Sequence, residues 1–182
     1  MPKNLVLTLT GRDRVGLVDR VTELVLNYGG NIEASRMARL GGEFAMLMLV
    51  SAPEDKLPAL AREAEKLATE GFAIGARPTE QTDPSKYAGW VPHEVAVSGA
   101  DHEGIIHRIT RRLAELNVNI ESMDTGTVTA SMSGTPLFTM SAIVLAPPDL
   151  PRRKLAGQLE AVGDELNVDI DVTLYTGTAD RS

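Results

Sequence analysis

The sequence predicts an α+β protein made of two consecutive βαββαβ sandwiches, in each of which an antiparallel sheet carries both helices on one face. Two observations predict this class. The chain contains an internal repeat, and each copy of the repeat shows the same order of strand and helix periods. The composition of the 182 residues, 43% apolar and 24% charged, is that of a globular protein.

The repeat is found by sliding residues 6–33 onto residues 94–121, which align without a gap at an offset of 88. Eight of the 28 aligned positions are identical, whereas ordinary composition would give about two. After a six-residue insertion in the second copy, the alignment resumes at an offset of 94. The chain is therefore a tandem duplication, with the identical pairs Gly11/Gly99, Asp13/Asp101, Gly16/Gly104, Arg20/Arg108, Thr22/Thr110, Asn31/Asn119, Ile32/Ile120 and Glu33/Glu121.

Each copy begins with a strand and a helix. Apolar and polar residues alternate from Leu5 to Leu9 and around Val95 and Val97, which predicts the strands. Apolar residues at helical spacing follow, and they predict one amphipathic helix in each copy. Glycine past a helix end readily takes the left-handed conformation, so Gly29-Gly30 should end the first helix and Asn117 the second. The helical residues are Leu17, Val18, Val21, Leu24, Val25 and Tyr28, and then Ile105, Ile106, Ile109, Leu113 and Leu116.

A hairpin, a second helix and a last strand complete each copy. In the first hairpin, residues 32–40 turn at Gly41-Gly42 into residues 44–51; in the second, residues 120–129 turn more loosely through 131–135 into 137–145. The order βαββαβ is typical of the ferredoxin-like sandwich. One face of such a sheet stays uncovered, so two copies or two chains are expected to pack together. The last strands are predicted over 72–77 and 168–175. The apolar residues that predict the second helices are Leu57, Leu60, Ala61, Ala64 and Leu67 in the first copy and Leu155, Leu159, Val162 and Leu166 in the second.

These elements predict a first domain over residues 1–79, a linker over 80–92 and a second domain over 93–182. The stretch from Pro78 to Pro92 is rich in turn-forming residues and shows no apolar period. The acidic excess of the whole chain, with 25 acidic and 18 basic residues, lies in the second half.

Composition also excludes several functions. The chain has no cysteine, which rules out disulfides and thiolate chemistry. A net charge of −7 and only 4% aromatic residues speak against direct binding of nucleic acid. No signal peptide or membrane span is predicted, and a cytoplasmic protein is expected.

The loop between the first strand and the first helix is the best candidate binding site in each copy. It reads GRDRVGLV at 11–18 and GADHEGII at 99–106. Free backbone N–H groups at a helix start favour a carboxylate or phosphate. Asp13 or Asp101 could accept a hydrogen bond from an ammonium group, so the two poles together suit a free amino acid. An equally weighted alternative is structural: each aspartate could cap its helix, and each glycine could supply the backbone conformation of the turn.

Other polar residues are weaker candidates for a functional site. Asn31 and Asn119 open the strand after the helix, where bonding within the turn is expected and contact with a neighbour's ligand is the alternative. The histidines, His93, His102 and His107, form one plausible metal pair at most, so no metal or other cofactor is predicted. No nucleophile set, phosphate loop or dinucleotide fingerprint is present, and no catalytic residue is predicted.

The repeated pattern GxDRxGLVxxVxxLxxxxGxNI resembles the ACT domain, a small ligand-binding module of amino-acid metabolism. It runs from Gly11 to Ile32 and again, with substitutions, from Gly99 to Ile120. Two copies with nothing attached, together with the run 43–50, are most similar to the glycine cleavage system transcriptional repressor family. The resemblance covers about 85% of the chain. The family's usual proline before the second glycine is Val15 in one copy and Glu103 in the other.

The resemblance implies that an amino acid, with glycine as the favoured candidate, binds where the first loop of one copy meets a neighbouring copy. A homo-oligomer and a transcription factor as protein partner are then expected, without direct contact to DNA and without a membrane. Glu103 would oppose a ligand carboxylate, which favours the first loop over the second. The implied ligand-binding residues are Asp13, Arg14, Val15, Gly16, Leu17, Asn31 and Ile32 in the first copy, and Asp101, His102, Gly104, Ile105, Asn119 and Ile120 in the second.

Two alternatives remain open. The chain could be an interaction or oligomerisation module that binds no ligand. It could also be an acylphosphatase-like hydrolase on the same topology, which would need Arg14 to bind an anion and Asn31 to lie beside it.

Overall fold

The computed structural model describes residues 2–79, 85–129 and 136–177. The chain divides into two compact units, one running up to Thr82 and the other beginning at Asp83. Part of the expected linker, 80–84, and the loose turn expected at 131–135 lie outside the described residues.

The first unit has the order of elements that its sequence periods predict. Gly71, at φ +90°, ends the second helix, whose last part is a 3-10 turn over Lys66–Glu70 that carries Leu67 into the core. The elements are β1 (Pro2–Arg12), α1 (Leu17–Asn27), β2 (Asn31–Leu40), β3 (Glu43–Pro53), α2 (Leu57–Glu65) and β4 (Ala73–Thr79).

The second unit repeats this order. Its first strand begins at Val91, so two residues of the range 80–92 expected to be linker are strand. Within the same range, residues 85–89 form turns and Tyr87 packs edge-on against Trp90. The elements are β5 (Val91–Ala100), α3 (Ile105–Glu115), β6 (Asn119–Thr129), β7 (Pro136–Ala146), α4 (Arg152–Leu166) and β8 (Val168–Leu174).

Both sheets are four-stranded and antiparallel, with the strand orders β2-β3-β1-β4 and β6-β7-β5-β8. This is the ferredoxin-like topology that the sequence predicts. One edge strand of each sheet contains a bulge at the same place, between Ile32 and Ala34 in β2 and between Ile120 and Ser122 in β6. The inserted residues are Glu33 and Glu121, an identical pair of the repeat.

The predicted turns are confirmed where the backbone takes positive φ. Gly29 follows α1 at φ +67°, and Asn117 follows α3 at φ +56°. Gly41 and Gly42, at +59° and +89°, form the two-residue turn of the β2–β3 hairpin, which is the geometry that such turns need to match strand twist.

Each unit has its own core between its sheet and its two helices. Leu5, Leu7 and Leu9 of β1 are buried as their alternation predicts, whereas Val18 of α1 is on the solvent side and 37% exposed. Where the first unit has Leu5, the second has the buried His93. Its Nδ1 lies 2.9 Å from the Val91 carbonyl oxygen, but its Nε2 has no hydrogen-bond partner among the described residues.

Among the described residues, no helix is long and apolar enough to cross a membrane.

Candidate functional site

The two candidate loops end in helix starts that no side chain caps. Gly16 precedes α1 at φ +85° and Gly104 precedes α3 at φ +90°, and neither helix has a side-chain cap hydrogen bond. The first intrahelical bonds run from the Arg20 and Arg108 N–H groups to the glycine carbonyls, both at 3.0 Å. The preceding N–H groups therefore have no partner within the helix and can bind an anion.

Asp13 does not cap its helix. Its N–H donates to the Gly42 carbonyl oxygen at 3.2 Å, which ties the loop to the tip of the hairpin. Its carboxylate lies 3.5 Å from the Arg39 guanidinium, and its side chain is 35% exposed. A distance of 3.5 Å is a loose ion pair, so the carboxylate is open to a second cationic group.

Arg14 is held inside its own unit. Its guanidinium donates to the Glu70 carboxylate at 2.6 Å and lies 4.6 Å above the Phe72 ring, while Arg20 binds the same carboxylate. The hydrogen bond from Arg14, supported by Arg20, lowers the pKa of Glu70 below its ordinary value of 4.5. Arg14 therefore fastens the loop to the end of the second helix and is occupied by an internal anion.

The second loop is fastened in the same place by a different residue. His102 stands where the first copy has Arg14, and its Nε2 lies 2.7 Å from the Leu166 carbonyl oxygen at the end of α4. Its Nδ1 lies 3.1 Å from the Glu103 carbonyl oxygen. Carbonyl oxygens only accept hydrogen bonds, so both bonds form together only when each ring nitrogen carries a proton. The Leu166 carbonyl contributes most, followed by the Glu103 carbonyl, to raising the pKa of His102 above its ordinary value of 6.5.

We expect His102 to titrate above 6.5 in the folded protein, as measured by NMR from its ring protons. Because the folded-state pKa is raised, the contacts stabilise the fold below pH 6.5, and this contribution is lost as the pH rises through the raised value. The stability difference between the wild type and His102→Phe should therefore shrink over that range. A ring that titrates at or below 6.5 would show that one nitrogen is not a donor.

Charge distinguishes the two loops. Asp101 is bound through its N–H to the Pro136 carbonyl at 3.4 Å, and its carboxylate accepts from the Thr127 hydroxyl at 3.5 Å. Glu103, beside Gly104, is exposed. Among the described residues, neither Asp101 nor Glu103 forms an ion pair, whereas Asp13 of the first loop lies 3.5 Å from Arg39. An anionic group meets more repulsion here than in the first loop, where Val15 replaces Glu103.

The remaining residues of the predicted binding set are either exposed to solvent or packed in a core. Val15 is fully exposed, at 106% of its reference area, while Leu17 and Ile105 are buried below their helices. Ile32 and Ile120 pack against the two cores. The side chains of these four buried or half-buried residues therefore contact the protein itself, and only their backbone groups are available to a ligand.

Asn31 and Asn119 do not reach the loops of their own units. Asn31 pairs across the strands with Ser51 and through it with Asn4, whereas the loop follows the other end of β1, where Gly11 pairs with Phe44. Seven residues of strand separate the two ends, so they lie on the order of 20 Å apart. Within one unit, the Asp13 loop and Asn31, both of which the resemblance implies in ligand binding, therefore lie at opposite ends of the sheet.

The bulge residues are the polar feature that sequence reasoning missed. Asn31 Nδ2 donates to the Glu33 carboxylate at 3.1 Å, and the Ser51 hydroxyl donates to it as well. These bonds, with Ser51 first, lower the pKa of Glu33. In the second unit Asn119 donates to Glu121 in the same way. The identity of Asn-Ile-Glu in both copies was the available signal.

Beside this cluster lies an open pocket of about 730 Å³ in the first unit. It is lined by Gly29, Asn31 and residues 51–55, which include Glu54 and Asp55. Lys3 binds Glu54 at 2.6 Å, and this contact lowers the pKa of Glu54.

The first glycine of each loop serves packing. A Cβ on Gly99 would lie 2.6 Å from a side-chain carbon of Val168 and 2.9 Å from its Cα; a Cβ on Gly11 would lie 2.5 Å from the Phe72 ring. The second glycine, Gly16 or Gly104, has open space around it and needs only its positive φ. Close approach of a ligand is therefore possible at the second glycine and not at the first.

The structure does not bring together the residues that the hydrolase alternative requires. Arg14 is bound to Glu70, and Asn31 lies at the far end of the sheet. Of the histidines, His93 is buried, His102 binds two carbonyl groups and His107 is exposed on α3. In the part of the chain that the structure describes, no three metal-ligating side chains are grouped.

Comparison with known proteins gives the family. The model of the ACT domain matches residues 3–73, which run from β1 to the start of β4. The chain belongs to the ACT domain family. The glycine cleavage system transcriptional repressor of Escherichia coli (strain K12) is 29% identical to this ACT domain chain over 182 positions, which cover 94% of the chain and 91% of the repressor. A UPF0237 protein of Methanosarcina mazei is 34% identical over 70 residues, 38% of this chain and 75% of that protein.

Solved structures agree with the fold of this ACT domain chain. An unknown protein from Galdieria sulphuraria is 35% identical with a TM-score of 0.83, and the match covers 97% of this chain and 100% of that one. A structure provisionally assigned as a glycine cleavage system transcriptional repressor is 22% identical with a TM-score of 0.69, covering 97% and 99%. The tandem ferredoxin-like architecture is therefore shared over the whole length.

Proposed function

We propose that this protein is a non-catalytic regulator that senses a free amino acid through its first loop and controls a transcriptional regulator or a metabolic partner. One observation carries the proposal. The helix start at Gly16 is uncapped and lies beside an exposed, loosely paired Asp13, so the loop offers an anion-binding and a cation-binding group together. The ACT domain family and the similarity to a glycine cleavage system repressor support an amino acid, with glycine as the favoured candidate.

The strand register bears on how such a site is completed. Asn31 lies at the opposite end of its own sheet from the Asp13 loop, which supports a site completed by a neighbouring copy and not by Asn31 of the same unit. A ligand bound at such a junction changes the affinity of the two walls for each other and, by linkage, the affinity for a partner. The net charge of −7 supports control through a protein and not through direct contact with DNA.

Isothermal titration against the twenty amino acids tests the proposal. We expect one or a few small amino acids to bind, and Asp13→Asn to weaken binding by about tenfold or more, because the amide oxygen of asparagine still accepts a hydrogen bond from the ammonium group but carries no negative charge. Asp101→Asn is the matched control in the second loop and should have the smaller effect. If no amino acid gives heat at millimolar concentration and none raises the melting temperature, the chain is an interaction module without a ligand.

A further inference from the structure

The outer faces of the two sheets, which lie opposite the helices, carry opposite charge. In each unit, three central rungs of the sheet define this face through the strand register. The first outer face is defined by Thr8, Arg36, Leu47, Leu49, Gly75 and Arg77. The second outer face is defined by Glu94, Ala96, Asp124, Ser141, Asp169 and Asp171.

The first outer face is mainly apolar, with cations on its two edge strands. Leu47 lies at its centre and is 48% exposed, and its neighbours across the strands are Thr8 and Arg36. Arg77, on the opposite edge strand, is also exposed. The three central rungs carry these two arginines and no acidic residue.

The second outer face is polar and anionic. Asp124 on one edge strand and Asp169 and Asp171 on the other are exposed, and Glu94 is half-buried between them, within 3.5 Å of the Ser141 hydroxyl. Its three central rungs carry four carboxylates and no basic residue. Through the register, Asp124 takes the place in its sheet that Arg36 takes in the first.

We propose that two copies of this chain form a closed dimer in which the first outer face of each copy docks on the second outer face of the other. A pair of first faces would oppose arginines to arginines, and a pair of second faces would oppose four carboxylates to four. Only the mixed pairing brings opposite charges together, and like charges across an interface are strongly disfavoured.

The area of the outer faces is large enough for a dimer held by two face-to-face contacts, but too small for one held by a single contact. Four strands and about five residues along each give a face of roughly 19 by 17 Å, or about 300 Å². One mixed pair buries about 600 Å², which is below the size of a stable interface, whereas the two pairs related by a two-fold axis bury about 1,200 Å² or more. Two-fold closure also leaves neither face free to continue into a filament.

Analytical ultracentrifugation at low salt tests the proposal. The wild type is expected to sediment as a dimer, with twice the chain mass of 19.5 kDa. The double variant Arg36→Glu/Arg77→Glu should raise the dissociation constant by at least about tenfold. Arg62→Glu/Arg153→Glu makes the same change of charge on the helix side, where both residues are exposed, and should leave the dimer intact. Added salt should weaken the wild-type dimer.

A second arm guards against a variant that fails to fold. The triple variant Asp124→Lys/Asp169→Lys/Asp171→Lys leaves Glu94 as the one carboxylate on the central rungs of the second outer face, and it should also dissociate the dimer. Combining it with Arg36→Glu/Arg77→Glu should restore dimerisation, because the net charges of both faces have then exchanged sign. A wild type that remains monomeric overturns the proposal. So does a dimer that all the face variants leave unchanged, or one that the helix-side control weakens equally.

Discussion

Replacing Leu60 by alanine is expected to lower the free energy of unfolding of the first unit by about 2–5 kcal/mol. Leu60 lies on α2 and is 0% exposed, in the core formed with β1, β3 and α1. The truncation leaves a cavity that sheet and helices cannot close without giving up their own contacts. Leu155→Ala on α4, also at 0% exposure, is expected to cost the second unit a similar amount.

The two substitutions should act on different halves of the chain, because the two cores share no residue. Hydrogen exchange resolved by residue is the measurement. Leu60→Ala should accelerate exchange in β1–β4 and spare β5–β8, and Leu155→Ala should do the reverse. Equal acceleration throughout the chain would mean that the units unfold as one, and the proposed division into domains 1–79 and 93–182 would then have no thermodynamic meaning.

Replacing Gly99 by alanine should destabilise the second unit by about 1–3 kcal/mol. The new Cβ would lie 2.9 Å from the Val168 Cα, so relief requires the start of β8 to move away from the end of β5. Movement there also disturbs the candidate loop 99–106, of which Gly99 is the first residue. Chemical denaturation followed by circular dichroism measures the loss.

Gly126→Ala is the matched control for this prediction. Gly126 is also a strand glycine of the second unit, but a Cβ there would meet only the Thr139 hydroxyl at 3.7 Å, an ordinary contact. The substitution should therefore be neutral or slightly stabilising, since alanine restricts the unfolded chain. If both alanine variants lost the same stability, the close approach to Val168 would not be the reason for a glycine at position 99.

The sequence was a good guide wherever structure follows from local pattern. The alternation at Leu5, Leu7 and Leu9, the helical spacing from Leu17 to Val25 and the turn at Gly41-Gly42 were all confirmed. The duplication strengthened each of these predictions, because a period that occurs twice is unlikely to arise by chance. It also pointed to the loops before α1 and α3.

The sequence was a poor guide to which functional side chains meet. Arg14 was expected to bind a ligand, but its guanidinium donates to the carboxylate of Glu70, which is 56 residues further along the chain. Gly11 was one of several loop glycines, and only the position of Phe72 shows that its role is packing. The opposite charges of the two outer faces were also not visible, because the residues of one face come from four separate strands.

The sequence by itself determined the fold class, the duplication and the position of the helix starts, because periodicity and turn chemistry depend on neighbours along the chain. The tertiary structure alone decided that Asn31 and the Asp13 loop lie at opposite ends of one sheet, that both ring nitrogens of His102 lie within hydrogen-bond distance of carbonyl oxygens, and that Arg36 and Asp124 occupy equivalent places on the two sheets. These are relations between residues far apart in the chain. They depend on strand order and register, which no local pattern specifies.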